Sequence, residues 1–219
     1  MDLEFISENT RNVFNKLAEE KFLNDYTLVG GTALSLQLMH RLSEDLDFIY
    51  DGDVLKTNLI KKFIDKKFKG NYKLIKQDND HQLDFIINDV KVTFFTNHAV
   101  MISFNLKDHS TKYKQTNIGT PEIIAVMKIN ALTQRNTIRD YYDLYFIAKN
   151  VIPVAKIFEK CRSLLPNISE ITYSETIIFV DDIREKSISD HLKPKEHISK
   201  YEIADFFTAE IKNLYNIKN

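Results

Sequence analysis

Hydrophobic and polar positions follow different periods along the chain, and these periods divide it into a mixed first half and a helical second half. Apolar residues at helical spacing predict helices over 5–22, 32–39 and 54–69. Short apolar or alternating runs predict strands over 26–29, 46–50, 72–76, 82–87 and 90–95. From about residue 115 the pattern is helical, with helices expected over 121–133, 138–149, 153–164 and 199–215 and a short one near 174–180.

Two of the predicted strands form a hairpin around a two-residue turn, Asn88-Asp89. In that register Ile87 pairs with Val90, and Asp84 lies opposite Thr93. One face of the hairpin is then wholly apolar, so we expect it to face the core. The residues of that face are Leu83, Phe85, Ile87, Val90, Val92 and Phe94.

The helical half has a clear start. Thr120 can cap a helix whose first residue is Pro121. The sequence contains no internal repeat and no low-complexity linker. We therefore predict an α/β core over 1–118 and a helical region over 119–219, which packs on the core.

Composition limits the class of protein. The 219 residues carry 30 Lys and Arg against 31 Asp and Glu, so the formal net charge is −1 and a wholly basic nucleic-acid coat protein is excluded. A content of 43% hydrophobic and 28% charged residues is typical of a globular protein. The single Cys161 suits a reducing compartment. The acidic N-terminus does not resemble a signal peptide, and no apolar run reaches ~20 residues, so we expect a cytoplasmic protein with no membrane partner.

The first chemically informative feature is a Gly-Gly-Thr turn between a predicted strand and a predicted helix. Gly30, Gly31 and Thr32 open that helix, where exposed backbone N–H groups and the helix dipole suit a phosphate. Taken alone, the turn is more often a plain strand-to-helix connection.

Two acids close to this turn change the interpretation. Asp45 and Asp47 are two residues apart on a predicted strand, so their carboxylates lie on the same face. Two carboxylates on one face can hold Mg²⁺ and leave coordination positions for substrate phosphates. The alternative is a solvated strand face that carries acids.

Two segments together resemble a known family. GGTALSLQLMHRLSEDLDF resembles the first motif of the AbiEii/AbiGii toxin family, a branch of the polymerase-β-like nucleotidyltransferases. About eighty residues later, MKINALTQRNTIRDYYDLYF resembles that family's second motif. The resemblance covers the chain from about residue 10 to the C-terminal helix. It implies an α+β fold, with a polymerase-β-like mixed sheet flanked by helices and followed by a helical C-terminal half.

The resemblance also implies an activity. Family members use an NTP and Mg²⁺ (or Mn²⁺) to transfer a nucleotidyl group, and some act on tRNA 3′ ends as toxins countered by an antitoxin. We therefore expect a nucleotidyltransferase toxin of a toxin–antitoxin or phage-defence system with an RNA acceptor. Asp45 and Asp47 are then the metal ligands, and both are catalytic together with Lys128 and Asp143. Carried over position by position, the nucleotide-binding residues are Gly31, Thr32, Ser43 and Lys128, beside Gly30 of the same turn.

The second motif can also be interpreted from its spacing. Lys128 lies on a predicted helix from which an ammonium group could reach a triphosphate. Arg139 and Asp143 are spaced i, i+4 and could instead form a surface ion pair. The resemblance favours a functional Lys128–Asp143 pair, through which the helical region completes the active site. Asp140, three residues before Asp143, could be its partner or a decoy.

The chain departs from the superfamily at one position. Most active members carry a third carboxylate on a neighbouring strand, and here Thr93 occupies that place. Asp84, directly across the predicted hairpin, is a candidate third metal ligand. The alternative is an ordinary solvated acid paired with Lys91.

A run of lysines gives a possible surface for RNA. Between residues 56 and 76, eight lysines stand against one acid, Asp65. They could follow an RNA backbone or form the solvated face of an amphipathic helix. The lysines are Lys56, Lys61, Lys62, Lys66, Lys67, Lys69, Lys73 and Lys76.

Two other functions stay open from the sequence. One is a nucleotidyltransferase that modifies a small molecule of the aminoglycoside type. The other is a non-catalytic relative that binds a nucleotide or a partner protein, which the loss of an acid at Thr93 favours. The tyrosines of the second motif could stack on a base or pack in a core; they are Tyr141, Tyr142 and Tyr145.

Overall fold

The computed structural model describes residues 3–78 and 80–216. It divides into two units, Met1–Thr120 and Pro121–Asn219. In the described residues the first unit carries seven strands and three α-helices, and the second carries five α-helices.

The first unit contains both motif glycines and both motif aspartates. Its strands are β1 (Tyr26–Val29), β2 (Leu46–Tyr50), β3 (Tyr72–Asp78), β4 (Gln82–Ile87), β5 (Val90–Thr96), β6 (Ser110–Tyr113) and β7 (Thr116–Gly119). Its helices are α1 (Glu8–Ala18), α2 (Gly30–Leu38) and α3 (Thr57–Phe68).

The strands form one mixed sheet in the order β3-β4-β5-β2-β1-β7-β6. The pairs β2–β5 and β1–β7 are parallel, and the other neighbours are antiparallel. The mixed sheet with flanking helices and a helical second unit confirms the predicted α+β class.

The predicted hairpin between β4 and β5 has the expected register. Asn88 and Asp89 have φ angles of +48° and +64°, and two positive φ angles are the signature of the tight turn that matches strand twist. Asp84 lies opposite Thr93, as predicted. The apolar face is buried throughout, with no member more than 2% exposed.

Helix α3 packs on this apolar face of the sheet. Phe63 of α3 lies 4.3 Å from Phe22, ring to ring, and Phe22 lies 6.3 Å from Phe94 of β5. Phe94 stacks on Phe48 of β2 at 5.4 Å. The opposite face of β2, β5 and β4 carries Asp47, Thr93 and Asp84, which lie in one row across the three strands. We call it the aspartate face.

Two predicted elements differ from the structure at the start of the chain. The helix expected over 5–22 is shorter, because Ser7 caps α1 by accepting a hydrogen bond from the Thr10 N–H at 3.2 Å. After Ala18 the chain continues into a 3₁₀ helix, Lys21–Asp25. Helix α2 begins at Gly30, two residues earlier than predicted.

The hairpin of β6 and β7 was not predicted. Its strands have only four residues each, too few to establish a period. Its turn contains Lys114 with a φ of +51°, where Gly or Asn would have given a signal. Because β7 lies beside β1, this hairpin extends the sheet on the side away from β5.

The second unit is helical, and its first helix begins at Pro121 as predicted. Its core includes the ring pairs Tyr141–Phe207 at 5.8 Å and Phe158–Tyr173 at 4.7 Å. No described helix is long and apolar enough to cross a membrane. The helices are α4 (Pro121–Leu132), α5 (Ile138–Asn150), α6 (Val154–Leu164), α7 (Glu170–Ile178) and α8 (Lys200–Leu214).

Candidate active site

The glycine turn joins the buried strand β1 directly to α2. Gly30 has a φ of +71°, a conformation that a residue with a Cβ atom adopts at a cost. A Cβ atom on Gly30 would lie 3.0 Å from Oδ2 of Asp47. The absence of a side chain therefore lets the backbone at the start of α2 lie against the Asp47 carboxylate.

Both motif aspartates lie beside this turn. Asp45 precedes β2, and Asp47 lies within β2 and pairs with Val29, the last residue of β1. Both side chains are partly exposed. The turn and the acids thus form one edge of the first unit, where backbone N–H groups and carboxylates meet.

Thr32 and Ser43 hold the chain that carries Asp45. Their hydroxyl oxygens lie 2.8 Å apart and share a hydrogen bond. The Thr32 hydroxyl also donates to the carbonyl oxygen of Asp45. Ser43 is itself anchored by the N-terminal segment, because its N–H donates to Phe5 O and its carbonyl accepts from the Ser7 N–H. Thr32 and Ser43 are both buried, so they fix the position of Asp45.

Arg41 is a site residue that the sequence analysis did not identify. Its side chain is 3% exposed, and its Nη1 donates to Leu42 O at 2.9 Å. A Cβ atom on Gly31 would overlap with its Nη2, so the second glycine makes room for this guanidinium. In the sequence, the only indication that Arg41 belongs to the site is its position between the glycine turn and the two acids.

The row on the aspartate face places Thr93 between two acids. Thr93 pairs with Asp47 on one side and with Asp84 on the other. Its Oγ1 is buried and makes no hydrogen bond. Asp84 is 5% exposed; its Oδ1 accepts from Gln82 Nε2 at 2.8 Å, and its Oδ2 lies 3.5 Å from Lys91 Nζ. The carboxylate is therefore buried and also paired with Lys91.

The acids of this row do not form a complete metal cage. Within residues 3–78 and 80–216, no three His, Cys, Asp or Glu side chains lie close enough together to hold a metal ion. Mg²⁺ in phosphoryl-transfer sites is commonly held by one or two carboxylates, with water and substrate phosphates supplying the rest. The Asp45–Asp47 pair is the part of the first unit that matches this pattern.

In the second unit, Lys128 lies between two acids. Its Nζ is 2.6 Å from Asp140 Oδ1 and 2.6 Å from Asp143 Oδ2. The three side chains are at most 8% exposed. Lys128 therefore pairs with Asp143, as the second motif indicated, and also with Asp140. Asp143 is a buried group rather than half of a surface pair with Arg139.

Asp140 has further partners that explain its charge state. Burial alone raises the pKa of its carboxyl, but Lys128 and Arg135 together bring that pKa below its usual value. Arg135 Nε lies 3.3 Å from Asp140 Oδ2, and the Thr137 hydroxyl donates to the same oxygen at 2.8 Å. Thr137 also caps α5 by accepting from the Asp140 N–H. Asp140 therefore links the start of α5 to Lys128 of α4.

The other side chains singled out in the sequence have core positions. Tyr141, Tyr142 and Tyr145 are at most 4% exposed, which favours packing over stacking on a base. Burial raises the pKa of the Cys161 thiol to about 12, so this cysteine is not a reactive thiolate.

Comparisons with known proteins agree with the two motifs. The family model described as nucleotidyl transferase AbiEii toxin of type IV toxin–antitoxin systems matches residues 13–212. An uncharacterized protein of Aquifex aeolicus (strain VF5) is 26% identical over 211 residues, which are 94% of this chain and 96% of that protein.

Two solved structures share the fold. JHP933 from Helicobacter pylori has a TM-score of 0.51 at 18% identity, covering 96% of this chain and 97% of that one. MenT4, a nucleotidyltransferase toxin from Mycobacterium tuberculosis H37Rv, has a TM-score of 0.53 at 13% identity, covering 97% of this chain and 87% of that one. By the family match over most of its length, this chain belongs to the AbiEii family of nucleotidyltransferase toxins, as its motifs predicted.

Proposed function

We propose that this protein transfers a nucleotidyl group from an NTP to an RNA acceptor, the 3′ end of a tRNA, as the toxin of a toxin–antitoxin or phage-defence system. The observation that carries the proposal is the Asp45–Asp47 pair beside the glycine turn. Membership of the family supports a nucleotide substrate and an antitoxin partner.

Mg²⁺ (or Mn²⁺) fits the residues present at this edge. Two partly exposed carboxylates lie at the start of β2, beside a backbone turn that a Cβ atom at Gly30 would obstruct. The buried, unpaired hydroxyl of Thr93 is the neighbour of Asp47 in the next strand. Asp45 and Asp47 would hold the ion. Bound there, the ion would neutralise phosphate charge and stabilise the leaving pyrophosphate.

The residues around the turn have distinct roles in this proposal. The N–H groups at Gly30 and Gly31 bind the triphosphate at the start of α2. Thr32 and Ser43 position Asp45 through the hydrogen bonds of their hydroxyls. In the reaction, the acceptor hydroxyl oxygen loses its proton to water and bonds to the α-phosphorus, while the bond from that phosphorus to pyrophosphate breaks and pyrophosphate leaves.

The roles of Lys128 and Asp143 are proposed from the second motif. Lys128 contacts a phosphate through its ammonium group, and Asp143, 2.6 Å away, orients that group. Asp140 Oδ1 also lies 2.6 Å from this ammonium group, which makes Asp140 a further positioning residue in the proposal.

Asp84 is retained as a candidate third ligand. Its register opposite Thr93 and its burial support this role. Its present partners, Gln82 and Lys91, would have to release an oxygen before it could reach an ion.

The test is an incubation of the purified protein with total tRNA and each α-labelled NTP, with and without Mg²⁺. We expect label at the RNA 3′ end that requires the metal, and a loss of at least about 100-fold in Asp45→Asn because a metal ligand is removed. The same assay on Asp84→Asn measures whether that carboxylate changes the Mg²⁺ concentration needed for half-maximal rate.

Three outcomes would contradict the proposal. A folded Asp45→Asn protein with the wild-type rate would show that the metal site is elsewhere. Metal-dependent stabilisation by NTP in a thermal-shift titration, without label on any RNA, would favour a small-molecule acceptor. No response to any NTP would favour a non-catalytic relative, which the hydroxyl at Thr93 in place of an acid also favours.

A further inference from the structure

The lysines between residues 56 and 76 do not share one surface. Those of α3 belong to a helix that packs on the apolar face of the sheet through Phe63 and Phe22. Two of them have partners there: Lys61 Nζ donates to Gln77 at 2.6 Å, and Lys67 pairs with Glu20 at 2.6 Å. The lysines of α3 therefore lie on the side of the sheet opposite to Asp47.

Lys73 and Lys76 of β3 belong to the aspartate face instead. Lys76 pairs with Asp84, which continues the row through Thr93 to Asp47. Paired residues in neighbouring strands point to the same face of a sheet. Since strands lie about 4.8 Å apart, this row runs about 14 Å from Lys76 to Asp47.

A second row lies beside the first. Lys73 pairs with Ile86, and Ile86 pairs with Lys91 of β5. By the parallel register of β5 with β2, this row leads towards Asp45. Lys73, Lys76 and Lys91 are all exposed, so their ammonium groups are accessible to a ligand on this face.

The negative charge of Asp84, the buried acid in these rows, is already balanced by neighbouring side chains. Lys91 lies 3.5 Å from Asp84, and Lys76 donates at 2.9 Å to Gln82, which donates to Asp84. Asp78, at the end of β3, is the other acid on this face of the strands β3 to β5. Three lysines and these two acids give the face a net positive charge across β3, β4 and β5. This charge lies between the outer edge of the sheet and the proposed metal ligands Asp45 and Asp47.

We infer that a single strand of the acceptor RNA reaches Asp45 and Asp47 across the aspartate face, with its phosphates on Lys73, Lys76 and Lys91, and not along α3. This inference rests on the proposed RNA acceptor. β3 is the terminal strand of the sheet, so a chain can enter at its outer side without displacing another strand. Phosphate contacts require only positive charge at suitable spacing, which these exposed lysines provide.

The test compares two triple variants with the same change of charge. Lys73→Gln/Lys76→Gln/Lys91→Gln removes the lysines of the aspartate face, and Lys62→Gln/Lys66→Gln/Lys69→Gln removes two exposed lysines of α3 and the exposed Lys69 that follows it. Each lowers the formal net charge from −1 to −4, so bulk charge is matched. Binding of a short unstructured RNA is measured against salt concentration, together with the KM for the RNA acceptor.

We expect the first triple to weaken RNA binding by at least about tenfold and to flatten the salt slope by about 2, since single strands give about 0.7 per neutralised phosphate. The α3 triple should retain the wild-type slope. Because Lys91 also faces Asp84, the double variant Lys73→Gln/Lys76→Gln is measured as well and should reproduce most of the effect.

Equal losses of RNA binding in the two triple variants, or a larger loss in the α3 triple variant, would overturn the inference. So would the absence of RNA binding by the wild-type protein at low salt, even if it labelled a small acceptor. If RNA binding depends on the aspartate face but no NTP labels RNA, the surface stands and the proposed transfer fails.

Discussion

Asp45 and Asp47 in the first unit and Asp140 and Asp143 in the second are pairs of the same residue type in different environments. The first pair is partly exposed and borders a turn without side chains. The second pair is at most 6% exposed and encloses Lys128. Burial thus separates acids that solvent reaches from acids enclosed together with a neighbouring ammonium group.

The difference has an energetic meaning. A partly exposed carboxylate keeps part of its hydration, so removing its charge is expected to change stability less. A buried carboxylate has lost its hydration and depends on its partners, so removing a partner leaves an uncompensated charge. We therefore expect substitutions in the first pair to change activity and substitutions around the second to change stability as well.

The largest effect on stability is expected from Lys128→Met. This substitution leaves Asp140 and Asp143 buried without their shared cation and should lower the free energy of unfolding by about 3–5 kcal/mol. Urea unfolding measures it. Lys149→Met is the matched control, because that lysine is 43% exposed in its pair with Glu196 and should cost about 0–1 kcal/mol.

Two results would contradict the expected difference between the partly exposed and the buried aspartate pair. If Lys128→Met unfolded at the wild-type urea concentration, the buried cluster would not stabilise the fold. If Asp45→Asn lost as much stability as Lys128→Met, the partly exposed acids would be structural too. A triple variant without any of the three charges, Lys128→Met/Asp140→Asn/Asp143→Asn, should recover part of the stability lost in Lys128→Met.

Gly30→Ala tests, within the first unit, whether activity depends on the close approach of the glycine turn to Asp47. Its φ of +71° should cost about 1–2 kcal/mol for any residue with a Cβ atom. The new methyl group would also lie 3.0 Å from Asp47 Oδ2 and displace it. Nucleotidyl transfer should therefore fall by more than the stability loss explains.

Gly70→Ala is the control for that variant. Gly70 has a φ of +84°, but a Cβ atom there meets no other atom within 4 Å. It should show a similar loss in thermal unfolding and full activity once folded. An equal loss of activity in both variants would mean that backbone strain, and not the Asp47 contact, explains the effect of Gly30→Ala.

The smallest expected effect is a dependence of stability on acid pH. The pKa of Asp140 is lowered below its usual 3.8 in the folded protein, so its stabilisation is present above about pH 4 and is lost as pH falls through the folded pKa. Asp140→Asn should reduce the slope of unfolding free energy against pH in that range, by at most about 1.4 kcal/mol per pH unit. If the slope did not change, acids other than Asp140 would account for the dependence of stability on acid pH.

The sequence predicted what local patterns control. The β4–β5 hairpin followed from alternation and a two-residue turn, and the start of α4 followed from Pro121. The sequence did not predict the features that depend on very short strands or on packing between residues that are apart along the chain. The strands β6 and β7 are too short for a period, and Arg41 meets Gly31 only through packing. The second motif indicated the Lys128–Asp143 pair, but spacing alone could not show that Lys128 also contacts Asp140.

The terminal strand β3 has a consequence for the behaviour of the protein in solution. Its outward backbone groups could pair with another chain, and Leu74 and Ile75 are 37% and 46% exposed. The register shifts between Leu74 and Lys76, and a local irregularity flanked by charge is how natural proteins prevent sheet-to-sheet aggregation. Lys73 and Lys76 are therefore gatekeepers of solubility as well as proposed RNA contacts, and apolar residues there would turn β3 into a template for self-association.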